Sequence, residues 1–300
     1  MKHGKLNSPG WPPVVCIWLA VALGSCTNEA YLDSFPQEGE PVSVIAGIES
    51  RTEAAAGSTP AADNEYDRST FISGDKIKIR KMYNNVTTES TYTYDGTAWS
   101  VASGSTALTL QAGATYQATF PADYNGIETT QETKEAYIKS NKLETGWIRS
   151  RNGVLDFTSG SNGVEGSIAA FQHKNAKLTL VFKSTGAALT GNLSFQVSAP
   201  GLRTNIASDE IVTLFRPDAN AYTWRGIVYP KDAATDITVA LTYQNVSYRA
   251  KLTGRGLAPG KHYIDTLTLH NDILVPVGSS ITFWSDSTTF TGSLTDGTQP

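Results

Sequence analysis

The sequence has very little cysteine: two residues in 300, and none after Cys26. Beyond that point it has no internal disulfide and no thiolate metal site, so stability must come from burial and strand pairing. Basic clusters are missing too. The net charge is −4, which excludes the electrostatic footprint of a nucleic-acid-binding chain. Histidine is scarce, and His3, His173, His262 and His270 stand without Asp, Glu or His at ligand spacing. The last three read as satisfied surface or edge residues beside strands. There is no Gly-x-Ser-x-Gly elbow, no His-Glu-x-x-His and no phosphate-cradling glycine loop, so hydrolase, zincin and nucleotide readings all lack their motif. No enzyme activity and no cofactor are expected. Glycoside hydrolysis needs only two facing carboxylates, and the sequence alone leaves that reading open.

The one apolar run near the start, Val14 to Leu23, is short of the roughly 20 residues of a membrane span. It does suit a secretory signal, with Lys2 and Lys5 as the positive start. The run ends in Leu23-Gly24-Ser25-Cys26. A cysteine directly after small residues is where a bacterial lipoprotein is cut and acylated, so residues 1–25 read as a lipoprotein signal and Cys26 as the lipidated residue. The alternative is an ordinary secretory signal with an incidental cysteine. Acylation supplies membrane contact without a basic patch, at about 0.8 kcal/mol per buried methylene.

What remains is rich in Thr, Gly, Ser, Tyr and Val and poor in long helical runs, the usage of a β protein with many turns. Residues 26–41 read as a polar tether. Val42 to Ile48 follows as a strand with Val42, Val44, Ala46 and Ile48 on one face. Glu49 to Thr70 is almost free of large apolar residues and reads as a long exposed loop, of a length that is usually functional or disordered. Strands resume at Lys76–Lys81. Tyr92, Tyr94, Trp99 and Val101 flank Asp95-Gly96, a hairpin signal because glycine accepts the positive φ of the turn. Further strands are expected over Ala107–Leu110 and Tyr116–Phe120. A short helix is expected over Thr130–Lys139, capped by Thr129 with Glu132, in a crossover loop rather than the core.

A second block alternates at Leu178, Leu180, Phe182; at Leu193, Phe195, Val197; and at Ile237, Val239, Leu241, Tyr243. It returns at Tyr248, Ala250, Leu252 and Tyr263–Leu269, with a turn at Pro259-Gly260. Turn signals every eight to twelve residues suit a sandwich. The Gly/Ser-rich stretch Ser159–Ser167 places a boundary near Gly166, giving an N-terminal domain over 42–166 and a C-terminal domain over 167–300. Trp99, Trp147, Trp224 and Trp284 could line a sugar platform, although burial is the commoner fate of tryptophan in a β protein.

The order and spacing of these pieces resemble the fimbrillins, the subunits of Bacteroidia-type (type V) pili. The resemblance spans nearly the whole length after the signal. It is carried by the lipobox at Cys26, the strand Val42–Ile48 before Arg51-Thr52, and Phe71-Ile72-Ser73-Gly74-Asp75-Lys76-Ile77. Tyr92-Thr93-Tyr94-Asp95-Gly96 with Trp99, Phe171-Gln172-His173-Lys174-Asn175-Ala176-Lys177-Leu178 and Leu257-Ala258-Pro259-Gly260-Lys261-His262-Tyr263 complete it. It implies an all-β chain of two tandem transthyretin-like β-sandwich domains with short helices in loops. It also implies export as a lipoprotein to the outer membrane, proteolysis after Arg51 (Arg68 being the alternative), and loss of the strand Val42–Ile48. A neighbouring subunit's strand would then fill the groove.

Burial of about four apolar side chains by that strand is worth about 5–10 kcal/mol, the scale of a whole domain's stability, and strand addition to an open sheet is a known recognition mode. The candidate donor lies in the tail 271–300, with Ile273, Val275, Val277, Ile281 and Phe283. These residues could instead close the subunit's own sheet. The partners implied are other fimbrial subunits, the outer membrane before processing, and a host protein or glycan as adhesion target. Asp265-Thr266-Leu267 and Asp286-Ser287-Thr288 match a short O-glycosylation triplet, the first inside an expected strand. A surface glycan-binding lipoprotein that keeps its acyl cysteine and stays monomeric is the competing reading.

Overall fold

The computed structural model describes residues 39, 42–48, 69–109, 111, 113–145, 148–149, 157–160, 163–167, 170–184, 192–218 and 222–284. All belong to one compact unit, Pro36–Pro300. Strand-forming sequence dominates, and the chain is an all-β protein built from two sandwiches in tandem.

The first sandwich contains β1 (Val42–Ile45), β2 (Lys76–Tyr83), β3 (Val86–Tyr94), β4 (Trp99–Val101) and β5 (Thr115–Phe120). It continues, after the helix α1 (Lys134–Ser140), with β6 (Leu143–Glu144), β7 (Ile148–Arg149), β8 (Phe157–Gly160), β9 (Gly163–Ser167) and β10 (Gln172–His173). One sheet runs β10-β6-β5-β2-β3-β4, with β7 also on β5, and the other runs β1-β9-β8. The Ile77 and Ile79 alternation places both side chains in the core, where Tyr92, Tyr116 and Phe120 join them. Gly96 has φ +105°, as the Asp95-Gly96 turn requires, and the Asp95 carboxylate accepts from the Thr97 and Ala98 N–H groups.

The second sandwich contains β11 (Ala176–Ser184), β12 (Leu193–Pro200), β13 (Asp209–Thr213), β14 (Thr223–Val228), β15 (Lys231–Tyr243), β16 (Val246–Leu257), β17 (Lys261–His270) and β18 (Ile273–Phe283). Its sheets run β14-β11-β17-β18 and β13-β12-β15-β16. Leu178, Leu180, Phe182, Phe195, Val197, Trp224, Val239 and Leu241 meet between them. The β15–β16 and β17–β18 turns, Gln244-Asn245 and Asn271-Asp272, each hold two residues at positive φ, as does Asn84-Asn85 between β2 and β3. That is the geometry of two-residue hairpins whose twist matches the strands they join. Across the open side of this sandwich, Arg255 of β16 pairs with the fully buried Asp265 of β17 and donates to Ser279 Oγ of β18 at 2.7 Å.

Three local expectations change. Over Ala107–Thr109 there is no named strand, Leu108 N–H donating instead to the Tyr92 hydroxyl, and just beyond, Gln111 N–H donates to the Tyr116 hydroxyl; Leu110 lies outside the described residues. The helix starts later than expected, capped by Thr133 instead of Thr129. Thr129 O accepts from Thr213 N–H, and Thr130 bridges Thr213, so those two residues are held as an extended partner of β13.

Nor is α1 merely a loop helix, since Tyr137 is fully buried against Phe215, Ile227 and Trp284. The Gly/Ser-rich stretch expected to mark a boundary holds β9, and Gly166 lies within it. Phe171 and β10 still belong to the first sandwich, and the chain enters the second at β11.

The two sandwiches are knitted together by the crossover between β5 and α1. Ile127 is buried in the second core, and its carbonyl accepts from Arg203 Nε at 2.9 Å. Gln131 pairs with Ile227 in the manner of a strand, its Nε2 donating to Ile227 O and its Oε1 accepting from Ile227 N–H, both at 2.8 Å.

Candidate assembly site

The feature with most bearing on assembly is the way β1 sits in the first sandwich. Val44 and Ile48 are buried, Ala46 is half-buried against the same core, and Ile45 between them is 52% exposed. Below them, Phe71 meets Trp99, Phe120 and Phe171 in edge-on contacts at 5.0, 5.4 and 5.3 Å. Phe71 is aimed inward by a local turn in which Ile72 N–H donates to the Asp75 carboxylate and Gly74, at φ +93°, donates to Tyr94 O.

Among the described residues β1 pairs on one edge only, in parallel with β9 over Val42–Ile45. The Ile48–Phe171 bridge extends that edge, with Phe171 N–H donating to Gly47 O at 2.9 Å. β4, at the end of the other sheet, lies near β1 with no ladder between them. β1 is therefore a short edge strand whose inward side chains complete a core. The burial of Val44 and Ile48 is worth about 3–6 kcal/mol. The side chain of Val42 lies outside the described residues.

Cys26, Arg51 and Arg68 also lie outside the described residues, as does the side chain of Phe283. The rest of the candidate donor is in β18, which pairs antiparallel with β17 from Ile273↔His270 to Phe283↔Lys261. Ile273, Val275, Val277 and Ile281 are exposed, and Leu274 between them is buried. The residues that read as donor knobs thus face away from the core. Of the two roles left open for this segment, closure of the subunit's own sheet is the one it occupies here.

The remaining sequence candidates resolve into structural roles. Trp99, Trp224 and Trp284 are buried in three different clusters and form no common platform, and Trp147 lies outside the described residues. Asp265 is fully buried in β17, which removes its triplet from any modifying enzyme, and Asp286 lies outside the described residues. Among the described residues no three His, Cys, Asp or Glu side chains come together as a metal site, and no helix is long and apolar enough to cross a membrane. His173 Nδ1 lies 3.0 Å from Asn141 Oδ1, and His270 ends β17 exposed. Sequence reasoning placed neither Phe71 and Phe171 in the groove nor Trp284 at the junction of the sandwiches. The only available signal was their place in the quoted motifs and tail.

His262 departs from the surface role expected of it. It is 3% exposed and shares a 2.7 Å hydrogen bond with the Thr179 hydroxyl. Burial, and then the nearby Lys177 and Arg225 charges, hold its pKa well below the usual imidazole value. The unfolded chain takes up a proton on this residue near pH 6.5 and the folded chain does not. Stability accordingly falls as pH drops below about 6.5, with a slope of up to about 1.4 kcal/mol per pH unit from this residue. Urea unfolding at pH 7.5 and pH 5 measures it. His262→Gln is expected to lose that part of the pH dependence, and identical slopes for variant and parent would overturn the assignment.

No protein-family model and no curated protein matches this sequence. Solved structures do. A candidate cell adhesion protein from Bacteroides uniformis matches at TM-score 0.54 and 15% identity, over 81% of this chain and 99% of that one. Another from Bacteroides ovatus matches at TM-score 0.55 and 16% identity, over 83% and 99%. The tip fimbrial protein Mfa3 of Porphyromonas gingivalis, with a C-terminal truncation, matches at TM-score 0.39 and 11% identity over 81% and 100%, a likeness too low to carry weight. What this chain shares with the two Bacteroides proteins is their all-β fold.

Proposed function

We propose that this chain is a structural or adhesive subunit of cell-surface fimbriae, exported as a lipoprotein acylated at Cys26. It matures by cleavage after Arg51, or Arg68 in the same segment, and by release of β1. A strand of another subunit then occupies the groove over Phe71, Trp99, Phe120 and Phe171. The two sandwiches serve as its two domains, and its role is non-enzymatic.

One observation carries the reading. Among the described residues, β1 is the first strand and is held on a single edge by four ladder pairs while its segment supplies buried side chains to a finished core, and in sequence it directly precedes the long polar segment that contains both arginines. Such a strand is cheap to detach in hydrogen bonds and expensive to leave unreplaced. The fold shared with the Bacteroides proteins and the order of the motifs support it.

Mild trypsin should cut within 49–68 first. Once β1 is removed with mild denaturant, the trimmed protein should bind a synthetic peptide of residues 41–49, competitively with any strand of a partner subunit. Arg51→Ala together with Arg68→Ala should block the conversion. A trimmed protein proven free of β1 that takes up neither this peptide nor another apolar strand would end this reading and advance the glycan-binding lipoprotein.

A further inference from the structure

Trp284 directly follows β18 and lies at the meeting of the two sandwiches, 4% exposed. Its backbone is engaged on both sides, while its indole Nε1 is buried without a hydrogen-bond partner among the described residues. The backbone N–H donates to Gly260 O at 3.1 Å, and the carbonyl accepts from the buried Lys177 Nζ at 3.0 Å. Its ring stacks on His173 of β10 at 4.1 Å and 14° and packs against Tyr137 of α1. The chain of contacts continues. Gly260 N–H donates to Asn175 O, and Asn175 Nδ2 donates to Ser140 O at the end of α1 at 2.7 Å. Trp284 thus touches β10 of the first sandwich, β11 of the second and the helix α1.

β18, the strand leading to it, is held more firmly than β1. β18 makes ten ladder pairs with β17 and buries Leu274 in the second core, whereas β1 makes four pairs with β9. Its outer edge is also poorly suited to receive another strand. Pro276 has no N–H to give, and the ladder is interrupted by a register shift opposite Thr266 and Leu267. Both features blunt edge pairing.

We propose that Ile273–Phe283 with Trp284 is a permanent strap of its own subunit, closing the second sandwich and pinning it to the first. It is not a strand that passes to a neighbour. Taken with the strand-exchange reading on which this consequence rests, the subunit receives a strand at the β1 groove and gives none from this segment.

Hydrogen exchange followed by mass spectrometry on the full chain tests the strap directly. Amides of 273–283 should exchange as slowly as those of 261–270. Trp284→Ala should accelerate exchange at least tenfold in 273–283 and in 134–140 while leaving 76–83 unchanged, and Trp284→Phe, which keeps a stacking ring, should restore most of the protection. Fast exchange of 273–283 in the parent chain would overturn the proposal whether or not the alanine variant folds.

A second arm uses trimmed protein with its groove shown open by binding of the 41–49 peptide. It should remain monomeric at high concentration, and a peptide of residues 271–284 should not displace the bound one. Oligomers that the 271–284 peptide dissolves would also overturn the strap. If the 41–49 peptide fails to bind, the strand-exchange reading falls and the exchange data alone decide the strap.

Discussion

Trimmed protein from which β1 has been washed out is expected to melt on the order of 10 °C below the uncut chain. The cause is the core left open over Phe71, Trp99, Phe120 and Phe171 when Val44 and Ile48 depart. Their burial is worth about 3–6 kcal/mol. For sandwiches of this size each kcal/mol moves the melting temperature by a few degrees. Cutting alone should cost much less, because a nicked chain keeps β1 in place through its ladder with β9. Differential scanning calorimetry on uncut, nicked and strand-free samples separates the two effects, and adding the 41–49 peptide should return the strand-free sample to within a few degrees of the nicked one. Equal melting of all three would place β1 outside the energetics of the core.

Arg255→Met is expected to destabilise the second sandwich by about 3–5 kcal/mol at neutral pH, because it leaves the Asp265 carboxylate buried without its cation. Even with Arg255 present, burial raises the Asp265 pKa against the pull of Arg255 and its hydrogen bonds. Without the guanidinium the protonated acid is favoured further. A raised carboxylate pKa means that the folded state holds its proton where the unfolded chain has released it. The gap between variant and parent should therefore narrow as pH falls and widen as pH rises. Arg255→Met with Asp265→Asn, which removes both charges, should recover most of the loss at pH 7. Denaturant titrations at pH 5 and pH 8 measure these differences. A penalty independent of pH would mean that packing of the arginine stem, not its charge, is what the seam requires.

The parts of this fold that could be read from sequence are those whose signal is local. The Asp95-Gly96 hairpin and the Ile237–Tyr243 and Tyr248–Leu252 alternation need only neighbours in the chain to specify them, and they occur in the structure. The helix start was hidden because the decision is made elsewhere: β13 claims the backbone of Thr129 and Thr130, and the cap falls to Thr133. The stretch Ser159–Ser167 suggests a boundary in sequence, because Gly163, Gly166 and their Ser neighbours carry no apolar alternation, yet it holds β9 and the end of β8. What makes them strands is the ladder to β1.

Lys177 gives the opposite lesson. A lysine in a strand carries no local signal for burial, yet this one is buried with its ammonium on the Trp284 carbonyl. Of the assembly site, the inward face of β1 was legible from its period. The ring cluster beneath it was not, because Phe71, Trp99, Phe120 and Phe171 come from four distant segments.

The pairing of β1 with β9 also fixes an order of events. Val42 finds its partner in Val164, far along the chain, whereas β2 with β3, β15 with β16 and β17 with β18 close through turns of two residues. Contacts that close short loops form early, and those that close long ones wait. β1 is thus the last piece laid into the first sandwich, and the groove over Phe71 and Phe171 stands empty while the rest of that domain assembles around it. Under the proposed function, proteolysis returns the subunit to a stage through which it has already passed, and the strand supplied by a neighbour repeats the closing step of the subunit's own folding.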